Sequence, residues 1–401
     1  MCQKRPFSST GAALLARGAA AQILQVVVRG SGAQPRLRDK PHLRRIPTRF
    51  QETFMSFKRI RSTLRAVLLP ALFAVSVSAQ AGPFSGLYIF GDSLSDTGNV
   101  SILTGGTQPG TAQPYAPGRF SDGPLWVETF AAGLGLAGQA TPFLAGGNNY
   151  AFAGARTGAV GGPKDPPGVL AQAVGYWGAN PAALPVNPNA LFVVVGGGND
   201  MRDARLISTG DTVADGIARQ AAAFAAINNL AKTISYLAAS GARNILISTL
   251  PDLGATPEAL FIGRQAASTD VTNRFNALVP DLLDLEGVFA GLNIELLDMA
   301  AIAADVRKNP VHFGVTNTGL PCAGFLGSAG DSCATSLFSD ALHPSAFAHR
   351  LIGEAALAVY GVPLPGTLAL MALALFMLML VQRRRAGGVL LKADAFNPAA
   401  Q

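Results

Sequence analysis

The stretch GLYIFGDSLSDTGN, residues 86–99, decides the fold, because in it an apolar run passes directly into a polar loop. Residues 86–90 combine Leu, Tyr, Ile and Phe, a composition that favours a β-strand. The loop that follows carries a serine between two aspartates, Asp92, Ser93 and Asp96. Because ligands bind beyond the carboxyl ends of parallel strands, this junction is the first candidate for a functional site.

Similar apolar runs recur along the chain, separated by helical patterns. Further strands are predicted at residues 149–152, 190–195, 244–250 and 293–297. Helices are predicted at residues 125–134, 212–239, 266–289 and 344–360. The runs are almost uniformly apolar, as expected of strands covered on both faces. The alternation of strands and helices therefore predicts a three-layer α/β/α fold with a mostly parallel central sheet.

The positive charge of the chain lies at its ends. The formal net charge is +7, from 31 Lys and Arg against 24 Asp and Glu, but residues 82–361 alone carry −8. An acidic body argues against a nucleic-acid partner. Hydrophobic residues make up 49% of the chain and charged residues 14%, which excludes a disordered polyelectrolyte.

Residues 55–81 have the pattern of a secretory signal peptide. Four basic side chains after Met55 precede an apolar stretch that ends in the motif AQA at residues 79–81. This pattern predicts cleavage by signal peptidase after Ala81, and hence an exported protein. We expect Met55 to be the initiator and residues 1–54 to be a disordered, wrongly assigned upstream extension. A basic leader of the transit type is the alternative.

Residues 362–385 have the pattern of a membrane anchor. The motif VPLPGT precedes an apolar run at residues 368–381 and three arginines at 383–385. Counted from Leu364, the stretch of 18 residues is long enough to span a bilayer, and the arginines are expected to stay cytoplasmic. The arrangement resembles the PEP-CTERM sorting signal of Gram-negative bacteria, which implies an exosortase as a partner. A plain anchor is the alternative, and residues 386–401 follow as a tail.

A serine hydroxyl needs a neighbouring base to act as a nucleophile at neutral pH. The body of the chain, residues 82–361, offers three histidines, His312, His343 and His349. His343 follows Asp340 by three residues, so one turn can present a carboxylate and an imidazole to the same site, as hydrolase triads require. His312 has no carboxylate nearby in sequence, and His349 is expected to be an ordinary helix residue.

Four blocks of sequence resemble those of the GDSL, or SGNH, family of lipases and esterases. They are GDSLSDTGN at residues 91–99, NYAFAGA at 149–155, GGGND at 196–200 and SDALHP at 339–344. The resemblance covers residues 86–360 in order. It extends to the branch of secreted bacterial lipases, phospholipases and hemolysin-like acylhydrolases, and it implies the flavodoxin-like SGNH-hydrolase fold.

The resemblance also assigns roles to individual residues. The implied catalytic triad is Ser93, Asp340 and His343. The implied oxyanion hole consists of the Ser93 and Gly154 N–H groups and the Asn199 side chain. The residues expected to support the serine loop are Asp92, Asp96 and Asn99.

No metal or cofactor is expected. Cys322 and Cys333 have no second pair and no histidine at ligand spacing; in an exported protein they are expected to form a disulfide bond. The pattern Gly133-x-Gly135-x-x-Gly138 formally matches a dinucleotide fingerprint, but it follows a predicted helix rather than a strand.

The sequence thus predicts an exported serine ester hydrolase of the cell envelope or extracellular space, acting on a small-molecule or lipid ester. Alternatives are a deacetylase of acetylated polysaccharide, a non-catalytic matrix-binding module, and a peptidase or thioesterase with the same triad. The aromatic residues considered for an acyl-binding site are Tyr115, Phe120, Trp126, Tyr150 and Trp177. Core packing is the alternative for each of them.

Overall fold

The computed structural model describes residues 83–159, 165–180, 186–363 and 375–379. The predicted upstream extension, signal peptide and C-terminal tail lie outside these residues. Of the apolar run at 368–381, only residues 375–379 are described, and they are helical. Within the described ranges, no helix has the length and apolar character needed to cross a membrane.

The centre of the fold is a sheet of four parallel strands in the order β1-β2-β3-β4. Its strands are β1 (Gly86–Phe90), β2 (Ala190–Val194), β3 (Asn244–Ser248) and β4 (Asn293–Leu297). Each coincides with a predicted strand to within two residues. A second parallel sheet, not predicted, pairs β5 (Asn317–Pro321) with β6 (Ser336–Phe338).

Residues 149–152 do not form the regular strand that was predicted. They lie beside β1 as an extended segment with one parallel bridge, between Asn149 and Ile89. The side chain of Asn99 donates hydrogen bonds to the carbonyls of Asn149 (2.7 Å) and Ala151 (2.8 Å). The ladder with β1 does not continue past this bridge, because the next N–H of the chain that would pair, that of Gly91, donates to Gln172 Oε1 at 2.9 Å. When this segment is placed beside β1 at the edge of the sheet, the spatial order is residues 149–152, β1, β2, β3 and β4. This order is flavodoxin-like.

The helices vary widely in length. In chain order they are α1 (Asn99–Leu103), α2 (Trp126–Gly133), α3 (Val169–Ala171, continued by a π-helical turn Gln172–Trp177), α4 (Gly198–Ala204), α5 (Thr212–Ala239), α6 (Pro257–Phe261), α7 (Gln265–Leu278), α8 (Pro280–Leu283), α9 (Met299–Lys308) and α10 (Ala346–Val359).

Helices cover both faces of the sheet, which confirms the predicted three-layer fold. Successive strand residues point to opposite faces: Phe192 and Val194 join one core, with side chains of α5 and α7. Leu191 and Val193 join the other core, with side chains of α2 and α10. All four are buried, which explains why the strands read as uniform apolar runs.

Two predicted helices have other bounds in the structure. The helix expected at 266–289 divides into α7 and α8, because Pro280 has no N–H with which to continue the first helix. The helix expected directly after His343 begins only at Ala346. Ser345 caps it, with its hydroxyl accepting the Ala348 N–H at 3.2 Å.

Gly353 permits the close crossing of α10 over α2. A Cβ there would lie 2.8 Å from the Trp126 carbonyl oxygen and 2.7 Å from Thr129 Cβ. We expect Gly353→Ala to lower the free energy of unfolding by about 1–3 kcal/mol, because overpacking outweighs the helix preference of alanine. In the matched control Gly216→Ala, on α5, the nearest atom lies 3.5 Å away, so helix propensity should raise stability by about 1 kcal/mol. Urea denaturation measures both, and a stabilising Gly353→Ala would contradict the close crossing.

Candidate active site

Ser93 lies in the loop that leaves the carboxyl end of β1. The Asp92 carbonyl accepts the N–H groups of Ser95 and Asp96, both at 3.0 Å, and closes the chain into a tight turn around the serine. Ser93 is 8% exposed. The loop thus holds one hydroxyl close to the protein surface on a constrained backbone.

Buried polar side chains tie this loop to the neighbouring extended segment. Asp96 accepts the N–H groups of Gly98 (2.8 Å) and Asn99 (2.6 Å) with one oxygen, and that of Ala153 (2.8 Å) with the other. The Asn149 side chain donates to the Ser95 carbonyl at 2.6 Å. The segment that leads to residue 154 is therefore fixed relative to the serine.

The turn after β6 brings Asp340 and His343 to Ser93. His343 Nδ1 lies 2.7 Å from Asp340 Oδ2, and its Nε2 lies 3.0 Å from Ser93 Oγ. Burial alone would raise the pKa of Asp340, but the charge and hydrogen bonds of His343, with the Leu342 N–H, hold that pKa well below its ordinary value. The carboxylate therefore stays ionised and accepts the Nδ1–H bond.

Three neighbours hold this turn in place. Ser339 N–H donates to the His343 carbonyl at 2.9 Å, and Glu258 N–H donates to the Ala341 carbonyl at 2.6 Å. The ring of Phe120 lies 5.3 Å from the imidazole of His343, measured between centroids. The position of His343 is thus fixed by a hydrogen bond within its own turn, by a hydrogen bond from α6 to that turn, and by the ring of Phe120.

The three expected oxyanion donors, the N–H groups of Ser93 and Gly154 and the side chain of Asn199, differ in their hydrogen bonding. Gly154 has a φ of +82°, a conformation that favours glycine. Neither its N–H nor that of Ser93 donates to another described residue. Asn199 Nδ2 donates to the Ala155 carbonyl at 2.9 Å, and its Oδ1 accepts from Arg202 at 3.1 Å. The second amide hydrogen of Asn199 has no acceptor among the described residues.

Glycine at position 197 lets the chain turn from β2 into α4, which carries Asn199. Gly197 has a φ of +108°, and a Cβ there would lie 2.4 Å from the ring of Phe275. No other residue fits this turn without displacing that ring.

An apolar cavity of about 130 Å³ lies beside Ser93 and His343. Asn199 also lines it, whereas Gly154 does not. Most of its apolar side chains come from α9, β6 and α10. The apolar side chains they contribute are Met299, Ile302, Ala303, Val306, Leu337, Phe338, Ala348, Leu351 and Ile352.

Sequence reasoning did not find this cavity, because its walls come from segments that only the folded chain brings together. Of the aromatic candidates for an acyl-binding site, Trp126, Tyr150 and Trp177 are fully buried in the cores. The other two, Tyr115 and Phe120, contact Asp340 and His343 instead.

The two other histidines of the body take no part in this array. His349 is fully buried in α10, and burial lowers its pKa to about 3, so it is neutral. Its Nδ1 accepts the Trp126 N–H at 3.3 Å. His312 is exposed in a short 3₁₀ turn at Pro310–Phe313.

Cys322 and Cys333 are joined by a disulfide bond. Their sulfurs lie within 4.8 Å of a carboxylate oxygen of Asp122, the single group of three metal-ligating side chains among the residues that the structure describes. Metals are held by thiolates rather than by disulfide sulfurs, so the disulfide-bonded protein offers no metal site there.

A parallel α/β/α sheet that carries hydrogen-bonded serine, histidine and aspartate beyond its carboxyl edge is typical of serine hydrolases. Residues 87–356 match the family described as GDSL-like Lipase/Acylhydrolase, and the chain belongs to this family.

Individual relatives are similar over most of this chain. The "uncharacterized protein in trpE-trpG intergenic region" of Pseudomonas putida is 30% identical over 337 residues, covering 76% of this chain and 52% of that protein. Esterase EstA of Pseudomonas aeruginosa is 28% identical over 339 residues, with 74% and 50% covered. The chain thus spans about half the length of these relatives.

Among solved structures, the carbohydrate acetylesterase Est24 of Sinorhizobium meliloti has a TM-score of 0.38 and 16% identity. It covers 69% of this chain and 99% of its own.

Asp92 is the buried carboxyl group next to the serine. Burial raises its pKa to about 6, although the Leu94 N–H and the charge of His343 act to lower it. Because an unfolded aspartate has a pKa of about 3.9, the folded state binds this proton more tightly. The resulting stability is fully present below pH 4 and is lost as the pH rises through 6.

We therefore expect Asp92→Asn, which keeps an acceptor but cannot ionise, to raise the free energy of unfolding by roughly 3 kcal/mol at pH 8. At pH 4 the variant should match the parent. Denaturant titration at both pH values measures this, with the exposed Asp305→Asn as a control that should change little at either. A gain of equal size at pH 4 and pH 8 would refute the ionisation argument.

Proposed function

We propose that the chain hydrolyses carboxylic esters through a covalent acyl-enzyme, with Ser93 as the nucleophile. The observation that carries this proposal is the continuous line of hydrogen bonds from Ser93 Oγ through the His343 imidazole to Asp340, beside an apolar cavity. Membership of the GDSL-like family supports the same chemistry. The name of EstA, an esterase, agrees with it.

In the first half-reaction, Ser93 Oγ attacks the ester carbonyl carbon while His343 Nε2 takes the hydroxyl proton. Asp340 keeps the imidazole in the tautomer with its proton on Nδ1 and stabilises the imidazolium that forms. The tetrahedral intermediate then collapses. The C–O bond to the alcohol breaks, His343 returns the proton to the departing oxygen, and an acyl-Ser93 ester remains.

In the second half-reaction, water replaces the alcohol. His343 removes a proton from the water as the water oxygen adds to the acyl carbon. The bond between that carbon and Ser93 Oγ then breaks while His343 returns the proton to Oγ, which releases the carboxylic acid and restores the hydroxyl. Both tetrahedral intermediates carry a negative oxygen. We assign its stabilisation to the N–H groups of Ser93 and Gly154 and the free amide hydrogen of Asn199.

Substitution of the nucleophile and of one donor tests this mechanism. We expect Ser93→Ala to lower kcat on p-nitrophenyl esters at least about 1000-fold. Asn199→Ala should lower kcat about 100- to 1000-fold with little change in KM, because its donor acts mainly on the transition state. Steady-state kinetics measures both, and Ser101→Ala on α1 is the matched control that should retain activity. Full activity of Ser93→Ala would exclude the mechanism.

We also propose that the cavity receives the acyl chain of the substrate. Its walls are predominantly aliphatic and aromatic, and it meets both Ser93 and His343. Burying an acyl chain there gains about 0.8 kcal/mol per methylene group. An acetyl group would leave most of the cavity unused, so we favour esters of longer acyl chains over acetylated polysaccharide.

Narrowing the cavity should shorten the preferred acyl chain. Ala303 lines the cavity from α9, whereas its neighbour Ala304 is exposed and does not. We expect Ala303→Leu to lower kcat/KM on octanoyl esters at least about 10-fold relative to acetyl esters, since steric exclusion removes more than one methylene of binding. The control Ala304→Leu should leave the ratio unchanged.

A graded ester series from acetyl to palmitoyl, run with acetate release from an acetylated polymer, measures this preference. Rapid acetate release with poor octanoyl cleavage by the parent protein would contradict the assignment of the cavity and favour the deacetylase.

We place this activity outside the cytoplasm. The signal-peptide pattern at 55–81 and the PEP-CTERM-like pattern at 362–385 support export and retention at the envelope. Signal peptidase and an exosortase would then be processing partners. The disulfide bond between Cys322 and Cys333 suits an oxidising compartment.

A further inference from the structure

Asp340 accepts a hydrogen bond that the sequence did not indicate. Tyr115 Oη lies 2.7 Å from Asp340 Oδ2, the same oxygen that receives His343 Nδ1. Burial, reinforced by the charge of Asp340, raises the pKa of Tyr115. The phenol is therefore protonated at physiological pH and acts as the donor.

The other oxygen of Asp340 is held from its own turn. Oδ1 accepts the N–H of Leu342 at 2.7 Å and also that of His343. The carboxylate plane is thus fixed by two backbone donors on one oxygen and by two side chains on the other. Among the residues that the structure describes, Tyr115 is the one donor that reaches it from a distant part of the chain.

Tyr115 is in turn supported by the loop that the disulfide closes, residues 322–333, which we name the disulfide loop. The Phe325 ring packs edge-on against Tyr115, with centroids 5.2 Å apart. The Leu326 N–H donates to the Gln113 side chain at 2.9 Å. Phe325 is 3% exposed, so this contact belongs to the packed interior.

The disulfide loop is anchored to the strand that precedes Asp340. The Cys322 N–H donates to the Phe338 carbonyl, the last of β6, at 3.0 Å. The loop thus joins the end of β6 to the segment that carries Tyr115. The disulfide to Cys333 holds the two ends of this loop together.

We propose that Tyr115 is a positioning residue for Asp340, and that the disulfide loop holds Tyr115 in place. The inference rests on the proposed function of Ser93, His343 and Asp340. A carboxylate rotates easily about its Cβ–Cγ bond, and rotation would carry Oδ2 away from Nδ1. The hydrogen bond that Tyr115 donates to Oδ2 opposes that rotation.

Tyr115→Phe removes the hydroxyl and keeps the ring that packs on Phe325. Because the lost hydrogen bond is made to a charged group, we expect this substitution to lower kcat about 10-fold. KM should not change. The acidic limb of the pH–rate profile should move to lower pH, because a carboxylate that is less well aligned stabilises the imidazolium less. Tyr360→Phe is the matched control: that hydroxyl is buried without a partner among the described residues, and its loss should alter neither quantity.

A double-mutant cycle tests the role of the disulfide loop. Cys322→Ser with Cys333→Ser should lower kcat and move the acidic limb in the same direction as Tyr115→Phe. Because both changes act through one hydrogen bond, Tyr115→Phe should cost little more in that background. Phe325→Ala, which keeps the disulfide, provides the same test if the cysteine variant does not fold.

A spectroscopic measurement separates this inference from the proposed function. The Nδ1 proton shared by His343 and Asp340 should give a downfield proton NMR resonance in the parent, and Tyr115→Phe should broaden or shift it. Persistence of hydrolysis in Ser93→Ala would overturn the proposed function alone. An unchanged resonance and acidic limb in Tyr115→Phe, or strict additivity in the cycle, would overturn the role of Tyr115 or of the loop respectively.

Discussion

The structure around Ser93 depends on one buried carboxyl group, Asp96. It is fully buried and collects four N–H groups, two of them from Val100 and Ala153 through the same oxygen. Without these donors, the carboxylate would be an unpaired charge in the core, and its partners would be unpaired N–H groups. Asp96 and its N–H partners are therefore all hydrogen-bonded only when two parts of the chain pack together. These parts are the loop that presents Ser93 and the segment that leads to Gly154, so one carboxylate fixes the position of both.

Two carboxyl groups near His343 differ in what surrounds them. Burial dominates at Asp92 and raises its pKa to about 6, since one backbone N–H, from Leu94, reaches its side chain. At Asp340, the histidine and a set of donors outweigh burial and keep the pKa low. Surroundings that shift the pKa values of two carboxyl groups in opposite directions suit the two groups to different roles. They make Asp340, which lies 2.7 Å from His343 Nδ1, rather than Asp92 the suitable partner for an imidazolium.

The strands and family could be predicted because their signals are local: uniform apolar runs for the sheet, and short motifs for the blocks that carry Ser93 and His343. The predicted family is confirmed by the match over residues 87–356. The sheet of β5 and β6 was missed because NTGLP is polar and carries glycine and proline. Tyr115 was considered only as an acyl-site aromatic, since its bond to Asp340 spans 225 positions and leaves no trace in local spacing. The break in the helix expected at residues 266–289, by contrast, could have been predicted from the sequence, because Pro280 lies within it.

The separation of Ser93 and His343 by 250 positions has a consequence for the order in which the molecule is made. Ser93 and all four strands of the main sheet precede the turn that carries His343. A nascent or truncated chain that stops before β6 contains every strand of that sheet but no imidazole for its serine. Under the proposed mechanism, the serine therefore has no base during most of synthesis, and its activation requires the turn that carries His343 to be made and docked against Ser93.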